Sequence, residues 1–84
     1  MTYNMEFSRE SDNVIRKLDK AVVERILKKL EEACGNPYQF FERLSGREDS
    51  KLRVGDYRII ARVMHSEKII FIVSIGHRKN IYKN

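Results

Sequence analysis

Basic side chains flank Gly55-Asp56 at positions that sheet stability alone would not choose. This dipeptide is typical of a two-residue hairpin, in which glycine supplies the positive φ of a type II′ turn. Such a turn would place Arg53 directly opposite Arg58, with Lys51 beside them on the same face. Like charges in that arrangement destabilise a hairpin, so the pattern indicates a surface that binds a polyanion. The expected pairs are Val54–Tyr57, Arg53–Arg58, Leu52–Ile59 and Lys51–Ile60.

A second hairpin would bring a further basic residue to this face. If core positions face core positions, the expected pairs are Val63–Ile69, Ala61–Phe71, Ile59–Val73 and Arg58–Ser74. Arg78 shares the strand parity of Arg58 and follows Gly76, where bare backbone would leave room for a ligand. We therefore expect Arg53, Arg58 and Arg78 to converge at one end of the sheet face that points away from the helices.

A strand and two helices are predicted ahead of these hairpins. Residues 3–7 alternate between apolar and polar, as a half-buried strand does, and apolar residues between 22 and 34 follow helical spacing. Punctuating residues mark the helix ends. They are Ser8 or Ser11 and Asp19 at the two N-termini, and Gly35, in a left-handed conformation, with Pro37 at the end of the second helix.

The expected element order is β-α-α-β-β-β, in a single α+β domain spanning residues 1–84. The N-terminal strand and a helical hairpin would pack with one face of a mainly antiparallel, twisted sheet. The run 69–75 is apolar on both faces, so we expect it to form the central strand, covered on both sides. Residues 38–50 would connect the second helix to the hairpins.

The charge distribution separates the two halves of the chain. The net charge is +5, yet residues 1–36 contain seven basic and seven acidic side chains, and residues 37–84 contain ten basic and five acidic ones. The excess therefore lies in the half that carries the hairpins, which indicates an acidic partner, either nucleic acid or protein.

Composition excludes several classes of protein and site. The longest apolar run, residues 69–73, is too short to span a bilayer, and the N-terminal sequence has no features of an export signal. The lone Cys34 suits a reducing cytoplasm and, with only two histidines, excludes a structural zinc site. Phosphate-loop, dinucleotide-binding and nucleophile-elbow motifs are lacking, so no cofactor or metal is expected.

Three segments together resemble the RelE toxins of the RelE/ParE superfamily: RLSG at 43–46, KLRVGDYRII at 51–60 and IGHRKNIY at 75–82. The resemblance covers nearly the whole chain. It implies a cytoplasmic, ribosome-dependent endoribonuclease that cleaves mRNA in the ribosomal A site. It also implies a small RelB-like antitoxin that covers the active surface in a hetero-oligomer, and binding of operator DNA only by that complex. No membrane partner is expected.

Metal-free RNA cleavage needs a base for the 2′-OH, cations for the charge that develops on phosphorus, and an acid for the leaving 5′-oxygen. Arginine does not deprotonate in proteins, so Arg58 and Arg78 are expected to act as electrostatic clamps. Proton transfer would fall to Lys51, His77, Tyr82 or an acid. The resemblance matches the lysine and the C-terminal tyrosine of the family to Lys51 and Tyr82.

Other basic residues of the C-terminal half are expected to contact RNA: Arg53, His77, Lys79 and Lys83. Arg62 is expected to be a solvated strand residue. The best-known bacterial relatives carry a second lysine two residues before the one that matches Lys51, whereas this chain has Asp49 there. Asp49 would be either a solvated loop acid or a base.

Two alternative functions stay open at this point. One is a ParE-like toxin that inhibits DNA gyrase by protein binding and needs no catalytic cluster. The other is a catalytically weak relative that acts through antitoxin binding and operon repression, an alternative that the missing lysine supports.

Overall fold

The computed structural model describes residues 2–77. Within that range the expected order is confirmed, and the predicted connection at 38–50 gains a short helix and a two-residue strand. The elements are β1 (Asn4–Phe7), α1 (Arg9–Lys17), α2 (Lys20–Gly35), α3 (Pro37–Phe40), β2 (Glu42–Arg43), β3 (Ser50–Val54), β4 (Tyr57–Met64) and β5 (Ile69–His77).

The strands form one sheet in the order β1-β5-β4-β3-β2. Its neighbouring pairs are antiparallel except β1 and β5, which are parallel, so the sheet is mainly antiparallel as predicted. The prediction that residues 69–75 form the central strand is wrong. β1 adds beside β5 and β2 adds beyond β3, so β4 is the middle strand and β5 lies between β1 and β4.

The first hairpin has the predicted register throughout, from Lys51–Ile60 to Val54–Tyr57. Its turn is also as expected, because Gly55 has a φ of +58°. Asp56 does not share that positive φ, which distinguishes a type II′ turn from type I′. Local sequence alternation and one glycine therefore suffice to set this part of the sheet.

The predicted register of the second hairpin is wrong. The observed pairs are Val63–Ile70, Ala61–Ile72, Ile59–Ile75 and Arg58–Gly76. The turn between the strands extends to Lys68, whose φ is +58°, and the register then shifts between Ile60 and Ala61, so that Val73 is an extra residue in β5. This bulge reverses the alternation of β5 and allows Ile72 and Ile75 to be buried on the same face.

The helix caps are partly as predicted. The Ser8 hydroxyl caps α1 by accepting a hydrogen bond from the Ser11 amide at 3.0 Å. Asp19 is the N-cap residue of α2, although its side chain makes no capping hydrogen bond. The left-handed Gly35 was a wrong prediction, since it ends α2 without a positive φ. The chain instead leaves the helix at Asn36, whose φ of −158° suits a residue that precedes proline.

The core lies between α2 and one face of the sheet. Helix residues and alternate strand residues supply it: Ile26, Leu30, Ala33, Cys34, Leu52, Val54, Ile59, Ala61, Ile70, Ile72 and Ile75. Burial raises the pKa of the Cys34 thiol, and the nearby Glu31 carboxylate adds to the effect. Within residues 2–77 no helix is long and apolar enough to cross a membrane. Because strand side chains alternate, the intervening residues Lys51, Arg53 and Arg58 project from the opposite face.

Candidate active site

The hairpin places three basic side chains together on that opposite face. Arg53 of β3 and Arg58 of β4 are direct partners across the ladder. Lys51 lies two residues before Arg53 in β3, on the same face of the sheet. Arg53 is exposed, whereas Arg58 and Lys51 are half-buried. The Arg53 Nε donates a hydrogen bond to the Gly55 carbonyl oxygen at 3.3 Å, which turns this side chain toward the tip of the hairpin. The convergence predicted for Arg53 and Arg58 is therefore observed.

The bulge in β5 changes the surroundings of Arg58. It brings Gly76, rather than the predicted Ser74, directly opposite Arg58. Glycine has no side chain, so β5 places only backbone at the ladder position opposite Arg58. The Arg58 Nε itself is shielded from solvent.

The three basic residues border a cleft at the edge of the sheet. Its volume is 410 Å³, and its lining in the described part of the chain consists of Lys29, Gln39, Phe40, Glu42, Lys51, Leu52, Arg53 and Arg58. The cleft exists because the two-residue strand β2 pairs only with Ser50 and Lys51, which leaves the edge of β3 uncovered by β2 beyond that point. Four of the eight lining residues are cations and one is an acid, so the cleft favours an anion.

Nearby acids neutralise this cleft only weakly. The Lys51 Nζ lies 3.9 Å from the Glu42 Oε1, and the Glu42 side chain is 76% exposed. An ion pair with such an exposed partner contributes little to stability. An anionic ligand can therefore displace Glu42 from the Lys51 ammonium at small cost.

Two cations of α2 reach this region and were missed by sequence reasoning. The Arg25 Nη1 lies 3.3 Å from the position that a Cβ atom on Gly55 would occupy, so its guanidinium sits at the hairpin tip. Lys29, one helical turn further on, lines the cleft itself. Their spacing of four residues, which puts both on one helix face, is the signal that could have paired them. Only the packing of α2 against the sheet shows which face that is.

His77 lies apart from these cations. It is the ladder partner of Tyr57, and the two rings meet edge to face with their centroids 5.4 Å apart. Because Tyr57 and Arg58 are consecutive in β4, their side chains point to opposite faces of the sheet. His77, the ladder partner of Tyr57, points to the same face as Tyr57. The structure thus does not bring His77 together with Arg58. The other predicted site residues, Arg78, Lys79, Tyr82 and Lys83, lie outside the described residues.

Asp49 is not the solvated loop acid of the sequence-based prediction. Its side chain is only 10% exposed. The Arg47 Nη2 donates to its Oδ2 at 2.9 Å, and the Arg62 Nη2 and Nε donate to its Oδ1 at 3.2 and 3.3 Å. Both carboxylate oxygens therefore already accept hydrogen bonds from guanidinium groups, and Asp49 is not among the described residues that line the cleft. The prediction of Arg62 as a simply solvated residue is wrong for the same reason.

Residues 2–77 bring together no group of three His, Cys, Asp or Glu side chains that could hold a metal ion. The polar groups in the described lining of the cleft are two guanidiniums, two ammoniums, one carboxylate and one amide. Guanidiniums and ammoniums at this density suit a phosphodiester, whose non-bridging oxygens accept such hydrogen bonds.

Comparison with known proteins identifies the family. Residues 5–82 match the family described as the ParE toxin of the type II toxin–antitoxin system parDE. The chain belongs to this RelE/ParE toxin family. It is 33% identical over 82 residues to a RelE-like toxin protein of Escherichia coli and 32% identical to the mRNA interferase toxin RelE of strain K12, covering 94% of this chain and 86% of each relative.

The fold agrees with this assignment. A chain of the intact E. coli RelBE toxin–antitoxin complex superposes with a TM-score of 0.77 at 29% identity, over 89% of this chain and 95% of that one. The RelE resemblance, the α+β fold and membership of a toxin–antitoxin system are thereby confirmed.

Proposed function

We propose that this toxin is an endoribonuclease that cleaves mRNA in the ribosomal A site, without a metal ion. The observation that carries the proposal is the cross-strand pair Arg53–Arg58 beside Lys51, at a cleft with four cations and one acid. A stable hairpin does not need this arrangement, whereas a phosphodiester substrate does. The relative named mRNA interferase toxin RelE supports the same chemistry.

The reaction assigns distinct tasks to these groups. The 2′-oxygen of the substrate attacks the adjacent phosphorus as a base removes its proton, the bond to the 5′-oxygen breaks, and an acid protonates that leaving oxygen. The half-buried Arg58 holds the non-bridging oxygens, where negative charge develops, while Arg53 holds the same or a neighbouring phosphate. Proton transfer falls to Lys51 in this proposal. Arg78 and Tyr82 complete the site by family resemblance, as a second clamp and a proton-transfer group.

A RelB-like antitoxin is the proposed partner. The family match is to type II toxin–antitoxin systems, and the structural relative was crystallised as a RelBE complex. The basic cleft and the edge of β3 that β2 leaves uncovered are surfaces that an acidic or extended partner segment would cover. In this proposal the hetero-oligomer alone binds operator DNA, and free toxin meets its ribosomal substrate in the cytoplasm.

The decisive experiment is cleavage on programmed ribosomes with an occupied P site and an empty A site, mapped by primer extension. The wild type should cut in the A-site codon, and Arg58→Ala should cut about 10²–10³-fold more slowly. Arg9→Ala removes an exposed cation from the start of α1, beside the opposite edge of the sheet, and should cut normally. Intact mRNA with wild-type protein that still arrests growth would refute the proposal.

A gyrase-directed toxin is the second candidate, because the matching family is named after ParE. It predicts inhibition of gyrase supercoiling by wild-type protein and by Arg58→Ala alike, since protein binding needs no phosphodiester clamp. A weakly catalytic relative is the third, and the occupied, arginine-bound Asp49 at the lysine position supports it. That candidate predicts neither mRNA cleavage nor gyrase inhibition, but retained antitoxin binding.

A further inference from the structure

The cleft has a second wall that the proposed chemistry does not use. The sheet contributes Lys51, Arg53 and Arg58, whereas α2 contributes Lys29 and, at the hairpin tip, Arg25. The edge of β3 lies between these two rows of cations. A polyanion bound at Arg58 that continued past this edge would pass beside α2.

The two α2 cations lie at different places beside the hairpin. The Lys29 Nζ lies 5.3 Å from the centroid of the Phe40 ring, which is a cation–π contact with a residue of α3. The Arg25 guanidinium lies beside Gly55, where the missing Cβ leaves room for it. The two residues are one helical turn apart, or about 6 Å along the axis. They therefore present two separate cationic points, Lys29 in the cleft and Arg25 at the hairpin tip.

Lys29 is only weakly paired with acidic side chains of the protein, so it is available for a ligand. Within the described residues it forms an ion pair with Glu32, whose Oε1 is 3.7 Å from the Lys29 Nζ, and the two side chains are 40% and 47% exposed. Such a pair is weak and is screened by salt. Lys28, the preceding residue, offers a contrast because it is exposed on α2 but does not line the cleft.

We propose that Arg25 and Lys29 bind backbone phosphates of single-stranded RNA next to the phosphate held by Arg58, so that the strand crosses the edge of β3 between the sheet and α2. This inference rests on the proposed function in taking RNA as the substrate. A single strand suits the site because a basic groove that follows the backbone is the common feature of single-strand binding. Arg25 and Lys29 are then RNA-binding residues outside the reacting centre.

The test measures RNA binding without cleavage. A fluorescent RNA of ~12 nucleotides, 2′-O-methylated so that it cannot react, is titrated at several salt concentrations. The slope of log K against log salt should become shallower by about 0.7 for each lost phosphate contact in Lys29→Gln and Arg25→Gln. Lys28→Gln, which removes the same charge from the same helix, should keep the wild-type slope. Lys29→Arg should restore it.

Each outcome bears on one proposal. Slopes for Lys29→Gln and Arg25→Gln equal to that of Lys28→Gln would overturn this inference, even if the ribosome assay showed A-site cleavage. Shallower slopes together with an absence of cleavage would uphold the RNA-binding wall and refute the nuclease. Circular dichroism of each variant excludes misfolding as the cause, and the Lys29→Arg variant keeps the test decisive if Lys29→Gln unfolds.

Discussion

Two pairs of arginines lie toward opposite ends of the β3–β4 ladder. At one end, Arg47 and Arg62 converge on the buried Asp49 carboxylate, with donor–acceptor distances between 2.9 and 3.3 Å. At the other end, Arg53 and Arg58 lie opposite one another beside a cleft rich in cations. Arginine thus binds an acidic side chain of the protein at one end and faces another arginine at the other end. The first arrangement serves the fold, and the second implies an anionic ligand.

The Asp49 cluster shows what structural arginines require. Asp49 also uses its backbone, because the Leu44 amide donates to its carbonyl oxygen at 3.0 Å. The chain reverses between them at Gly46, with a φ of +71°. The carboxylate therefore ties the loop before β3 to the neighbouring strand β4, and so supports the start of the strand that carries Lys51.

Replacing one arginine at each end with alanine tests the comparison most strongly. Arg58→Ala should lower the A-site cleavage rate by about 10²–10³-fold, the usual cost of losing one donor to developing negative charge. Arg62→Ala should leave the rate within a few-fold but destabilise the protein by about 1–2 kcal/mol, since it removes hydrogen bonds to a charged group. Single-turnover cleavage and urea unfolding measure the two effects.

The two variants control for each other, because each removes one arginine from the same face of β4. If Arg58→Ala lost stability and kept its rate, the assignment of the two ends would have to be reversed. Equal losses of both quantities in both variants would mean that the ends cannot be separated.

Asp49→Ala should produce the next largest effect, a destabilisation of about 1–3 kcal/mol. The arginines are 61% and 50% exposed and can be rehydrated, which places the expected value toward the lower end of that range. Asp49→Asn keeps the volume and should lose less. Urea denaturation midpoints would report the order, and an unchanged midpoint for Asp49→Ala would mean that the cluster adds nothing to folding.

Part of this contrast could be predicted from the sequence. The predicted hairpin register, extended by two pairs beyond Lys51–Ile60, places Asp49 opposite Arg62. The sequence therefore held the signal for this ion pair, although the prediction stopped at Lys51. The register of β5 could not be predicted in the same way. Strict strand alternation would put Ile72 and Ile75 on opposite faces, and the extra residue Val73 allows both to be buried in the core.

The helical wall of the cleft is the other feature that sequence reasoning could not supply. Spacing puts Arg25 and Lys29 on one face of α2, but many charged pairs share that spacing as plain solvated residues. Which face meets the hairpin depends on how α2 packs over the sheet. That packing is decided by the apolar residues of the helix as a set, including Ile26 and Leu30.

Gly55→Ala tests the hairpin end at its turn. Its φ of +58° is unfavourable for alanine, and the new Cβ would approach the Arg25 Nη1 to 3.3 Å. We expect a loss of about 1 kcal/mol in the free energy of unfolding, mainly from backbone strain. The new Cβ should displace the Arg25 guanidinium without removing its charge, so RNA binding should weaken by less than in Arg25→Gln. A variant of wild-type stability would contradict the turn assigned here.

Arg53→Thr should produce the smallest effect, and one of opposite sign. Replacing one of two opposed cations with a β-branched residue removes repulsion and improves cross-strand packing, so the protein should gain about 0.2–1 kcal/mol of stability. The same change should make the salt dependence of RNA binding shallower by about 0.7, the value for one phosphate contact. Arg43→Thr, on β2 opposite Ser50, is the control and should change neither quantity much. A loss of stability in Arg53→Thr would show that Arg53 serves the sheet, and the contrast between the two ends would then rest on Arg58 alone.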